Sequence, residues 1–88
     1  MENITLPNEF SSYRHLCLVL IDKIFTEKQI PLNIFEWDWE SDYSNRIFIT
    51  TEDGREYTIR TWNIHDDDDN VYVDYTLFLE DNEISIEL

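Results

Sequence analysis

The chain has 88 residues, length for one domain and not for two. Apolar residues make up 42% and aromatics 15%, enough for a core and too much for a disordered acidic tail. Asp and Glu number 20 against 6 Lys and Arg, a formal net charge of -14, which disfavours direct binding to nucleic acid or to an anionic membrane surface.

The chain starts Met1-Glu2-Asn3, without the basic opening of a secretory signal. Pro7 and Asn8 then lead into a helical pattern. Phe10, Tyr13, Cys17, Leu20 or Ile21, and Ile24 recur at three- and four-residue spacings and predict one apolar stripe. Asn8, Ser11 and Ser12 can each cap this helix, and the pattern does not choose among them. Leu16, Leu18 and Val19 widen the stripe, as expected of a helix lying deep against a sheet. The apolar run Leu16 to Ile21 is far short of a membrane span. Cys17 is the only cysteine. No internal disulfide is available, which suits a reducing, cytoplasmic compartment. Pro31 ends the helical periodicity.

After Pro31 the period drops to two. In Phe35-Glu36-Trp37-Asp38-Trp39-Glu40 the rings are expected on one face, under the helix, and the carboxylates on the other. Leu32-Asn33-Ile34 ahead of them reads as strand or loop. Arg46 to Thr51 predicts a second strand and Asp53-Gly54 a tight hairpin. Glu56 to Ile64 predicts a third strand, the alternation Val71, Val73, Tyr75, Leu77, Leu79 a fourth, and Glu83 to Leu88 a fifth after a turn at Asp81-Asn82. Short connections favour antiparallel neighbours. The expected fold is α+β, one N-terminal helix packed on an antiparallel meander of four or five strands, in a single acidic domain over residues 1–88. Trp62, Phe48, Phe78 and Tyr72 fall in the opposite phase from the core candidates Ile47, Ile49, Ile59, Val73 and Leu77. That phase serves equally well as an exposed anchor patch, a second core layer or a homodimer contact.

The charge is not spread evenly. Residues 1–30 net -1 and residues 31–88 net -13. A small soluble domain needs a net charge of magnitude only roughly 2 to 8, and the excess costs stability by self-repulsion. Halophilic origin would explain such an excess; so would a partner steered by the field. Carboxylates two residues apart on a strand stand about 6.6 Å apart on one face. Glu36, Asp38 and Glu40 therefore form an ordered row, extended by Asp42. Asp66, Asp67, Asp68 and Asp69 add a cluster at a turn, and Asp74 projects from the fourth strand. These nine are the candidate partner-binding residues. Such an array imitates a phosphate backbone toward Arg- and Lys-lined grooves.

No catalytic constellation stands out. Ser11, Ser12 and His15 lie at the helix start, and Cys17 sits on the apolar stripe, where thiols are usually inert. A lone Gly54 cannot form a phosphate-cradling loop. His65 beside the aspartates lacks calcium-loop spacing. The chain is expected to be a non-enzyme with no cofactor and no metal.

Size, a single helix plus sheet, extreme acidity and the turn Asp66-Asp67-Asp68-Asp69 together resemble small phage-encoded inhibitors of host defence. These are the anti-CRISPR proteins and other DNA mimics, such as inhibitors of uracil-DNA glycosylase. The resemblance lies in general character and carries no residue motif. It implies a non-enzymatic inhibitor in the host cytoplasm, whose partner is a Cas nuclease or complex, or another nucleic-acid-binding enzyme. Its acids would fill a channel meant for guide, target or PAM-bearing duplex. An immunity protein that neutralises a toxic nuclease uses the same physics. An adaptor domain whose charge serves only solubility is the third expectation.

Overall fold

In the computed structural model, residues 1–40 and 45–88 are described. The chain runs β1 (Glu2–Pro7), α1 (Tyr13–Glu27), β2 (Ile34–Glu40), β3 (Arg46–Thr51), β4 (Glu56–Asp66), β5 (Asn70–Asp81) and β6 (Ile84–Glu87). All strands pair antiparallel in one open sheet of order β1-β5-β4-β3-β2, with β6 also on β5. The helix and the β2-to-β6 succession match expectation. The strand count and the pure meander do not, because residues 2–7 form an additional strand, β1, on the edge of β5.

The cause is a mismatch in strand length. β5 has 12 residues and its hairpin partner β6 only 4. β6 covers Phe78 to Asp81, leaving the other half of the same edge unpaired. β1 fills that gap, pairing Glu2 with Tyr75 through to Pro7 with Asn70. It buries only Ile4 and Leu6, too short an alternation to announce a strand. Pro7 ends it, where a missing N–H breaks no ladder.

Ser12 is the helix cap. Its Oγ accepts the His15 N–H at 3.1 Å and its carbonyl accepts the Leu16 N–H at 3.1 Å, satisfying donors that the first turn leaves unpaired. The helix stops before Pro31, in a Schellman turn. Ile30 N–H donates to the Phe25 carbonyl at 2.9 Å and Gln29 N–H to the Thr26 carbonyl at 3.2 Å, with Gln29 left-handed at φ 59.

The core lies between α1 and one sheet face. Leu16, Cys17, Leu20, Ile21, Ile24 and Phe25 meet Ile4, Leu6, Ile47, Ile49, Tyr57, Ile59, Val71, Val73, Tyr75 and Leu77, all buried. Leu18 is 42% exposed, so the stripe is narrower than expected on that side. Trp37 and Trp39 pack toward the helix as expected. Arg14 lies 4.6 Å from the Trp37 ring, and Tyr13 stacks on Trp39 at 4.1 Å. Phe35 does not join them. A bulge between Ile34 and Glu36 takes it out of phase and leaves it 71% exposed. Among the described residues no helix is long and apolar enough to cross a membrane.

Candidate functional site: the open face of the sheet

Because the helix covers one face, the opposite face collects every second residue of the strands. Register lays these residues out in rows. One row runs Glu36, Thr50, Glu56, Glu80, Ser85; the next runs Asp38, Phe48, Thr58, Phe78, Glu87; a third runs Glu40, Arg46, Arg60, Thr76. Neighbouring strands lie about 4.8 Å apart. The face is therefore a small lattice of known chemistry: carboxylates along β2 and at the β5–β6 end, with rings and guanidiniums in the middle.

Glu36, Asp38 and Glu40 stand together on β2, which forms one edge of the sheet. Asp38 Oδ1 accepts the Trp39 N–H at 2.8 Å. Asp42 lies outside the described residues. Asp74 occupies the same open face on β5, three strands away, roughly 14 Å at that strand spacing. It is engaged there: Asn3 and Asn63 side-chain amides donate to its two oxygens at 2.9 and 3.0 Å. These bonds, Asn3 first, hold its carboxyl below the usual carboxylate range.

The 66-to-69 turn divides. Asp66 pairs with Val71 on the helix side and lines a small cavity with Phe10 and Leu16, so it leaves the acidic face. Asp67 builds the turn. Its Oδ1 accepts the N–H groups of Asn70 and Asp69 at 2.7 and 2.9 Å, and its Oδ2 accepts the Tyr72 hydroxyl at 2.9 Å. Those donors, Asn70 first, depress its pKa. Asp68 and Asp69 are exposed at the tip. The nine candidates thus do not form one continuous acidic band. The β2 row is a unit, Asp74 shares its face at a distance, and the turn lies at the far end of β4 and β5.

The charge on the middle of this face was missed at the sequence level. Arg46 and Arg60 are direct cross-strand partners. The signal was present: the hairpin at Asp53-Gly54 sets Thr50 against Glu56, and counting back along both arms brings the arginines together. Also missed was the acidic end of the face, where Glu56 sits directly opposite Glu80, a like-charge contact that costs stability.

Phe48, Phe78 and Tyr72 are on the open face, where alternation put them, and Trp62 lies at the bulge of β4. Phe48 is 37% and Trp62 45% exposed. Phe48 and Phe78 flank Thr58 in the register, and Thr58 is buried although it belongs to the open face. A groove of about 580 Å³ runs over Arg46, Phe48, Thr58, Arg60, Phe78 and Glu80. His65 stacks on Tyr72 at 5.1 Å. Among the described residues no three His, Cys, Asp or Glu side chains are grouped to hold a metal ion. Ser11 Oγ lies 3.3 Å from His15 Nδ1 in an exposed position. Cys17 is buried, and that burial pushes its thiol up to about 11, far from the thiolate a nucleophile needs. Comparison with family models, with curated proteins and with solved structures finds no match to this chain.

Proposed function

We propose that the chain is a non-catalytic inhibitor that occupies a cationic, nucleic-acid-binding groove of a partner protein as a nucleic-acid mimic. By its general character the partner is a Cas nuclease or a related host enzyme in the cytoplasm, as for an anti-CRISPR protein. The observation that supports this reading is the β2 row. Glu36, Asp38 and Glu40 stand on the open face of a strand paired on one side only, at a spacing set by the pleat rather than by flexible loops. Carboxylates held on a strand need little ordering when Arg or Lys side chains close on them. The -14 net charge adds long-range attraction, which accelerates encounter and weakens with salt.

The test is charge reversal at the row. Glu36→Lys/Asp38→Lys/Glu40→Lys keeps the far-ultraviolet circular dichroism of the wild type, since all three side chains are exposed. It loses the partner that wild type captures from host lysate at about 50 mM salt and releases at about 500 mM. Capture undiminished by the triple substitution would rule out the row as the contact.

A further inference from the structure

The centre of the open face has the opposite sign from its rim. Arg46 and Arg60 stand side by side on β3 and β4. The Arg60 guanidinium lies 4.0 Å from the Trp62 ring centre, and the Trp62 indole N–H donates to Thr76 Oγ1 at 3.2 Å. The hydrogen bond fixes the ring, and the ring in turn holds the guanidinium. Among the described residues neither arginine forms an ion pair, in a chain where acids outnumber bases 20 to 6. Two guanidiniums without an ion pair among the described residues, beside a groove of about 580 Å³, are placed to receive an anion from outside.

We propose that this face receives a partner-protein surface carrying an Asp or Glu carboxylate set among Lys and Arg side chains, the carboxylate meeting Arg46 and Arg60 and the cations meeting the acidic rim. The proposal rests on the function proposed above and adds a central anion to the partner's chemistry. Three other occupants meet a definite obstacle. A nucleic acid suits the arginines and the rings but is repelled by the rim and by the whole-molecule field. A wholly cationic surface suits the rim but would bury two guanidiniums against like charge. A second copy brings another -14 to the contact. Only a carboxylate ringed by cations satisfies centre and rim together. Arg presents a planar fork that takes a carboxylate with two parallel bonds, and Phe48 and Trp62 stand on the same face beside it.

Two end-blocked peptides test this, Lys-Arg-Phe-Glu-Arg-Lys and Lys-Arg-Phe-Gln-Arg-Lys, titrated into the protein at about 20 mM salt with the Trp62 indole N–H signal followed by NMR. The Glu peptide is expected to bind about fivefold more tightly, although it carries one positive charge less. Arg46→Gln/Arg60→Gln, checked for fold by circular dichroism, erases that preference. A Gln peptide that binds wild type equally well or better shows that net charge alone governs, and overturns the proposal whatever the variant does. A preference that survives the double substitution overturns it too. The underlying function fails differently: Glu36→Lys/Asp38→Lys/Glu40→Lys then leaves both affinities unchanged. If neither peptide binds, the central carboxylate falls, while the function proposed above still stands or falls on the lysate capture.

Discussion

Asn82 and Glu83 both sit in the left-handed region, at φ 48 and 67, forming the two-residue link between β5 and β6. This is the turn that favours Asn followed by Gly, and Glu83 bears the steric cost of a side chain there. Gln29, at φ 59 in the helix-ending turn, bears the same cost where glycine is commonest. Glu83→Gly and Gln29→Gly should each stabilise the fold by about 1 kcal/mol, seen as a rise of roughly 4 to 8 °C in the thermal midpoint. A fall in both midpoints would mean that the side chains make contacts worth more than the strain. Neither position was legible in the sequence, because a left-handed residue is recognised there by glycine and neither residue is one. Gly54, at φ 85, was legible for the complementary reason.

At the scale of elements, the turn joining β4 and β5 shows how one acid in a run differs from its neighbours. Asp67 holds two backbone N–H groups and a tyrosine hydroxyl, while Asp68 projects from the tip. Asp67→Ala should therefore lower the thermal midpoint, and Asp68→Ala should leave it within error. Equal effects would dismiss the turn-building role. The depressed pKa of Asp67 gives the sign with pH. Its stabilisation is present above the ordinary carboxylate value of 3.8 and is lost as pH falls through the lower folded value. Sequence could show four aspartates but not which one turned inward, since that depends on Asn70 and Tyr72 across the turn. The alternation of β3, β4 and β5 was readable because one face of each strand is buried and the other wet. β1 was not readable: its pairing is dictated by the unfilled edge of β5, a long-range fact. The acid row was readable on β2 for the same reason as its tryptophans. The arginine pair needed the hairpin register, and the bulges at Phe35 and Trp62 fall where simple alternation fails.

For the whole molecule, the two largest upward pKa shifts, at Cys17 and Tyr75, bear on stability at alkaline pH. Burial pushes the Cys17 thiol up to about 11 from 9.0. It pushes the Tyr75 hydroxyl up to about 12 from 10.0, with Glu2 and Glu27 adding to the shift. The folded chain keeps both protons after the unfolded chain has lost them, so stability falls as pH rises through this interval. Urea midpoints should decline from about pH 9 to about pH 12, and Tyr75→Phe should flatten the upper part of the decline. An unchanged slope in that variant would assign the loss elsewhere. The overall acidity was plain from composition. Its arrangement as a rim around a cationic centre was not, because composition carries no geometry.

β2 is also an edge strand, with no other strand paired along its outer side among the described residues, and such strands invite copies of themselves to zip together into aggregates. Two copies meeting there head to tail would force Glu36, Asp38 and Glu40 of each against the same residues of the other, so this flank guards itself. Neutralising it with Glu36→Gln/Asp38→Asn/Glu40→Gln should turn a monodisperse solution into one that scatters light and binds thioflavin at neutral pH. A clear, non-scattering solution of that variant would show that some other feature protects the flank.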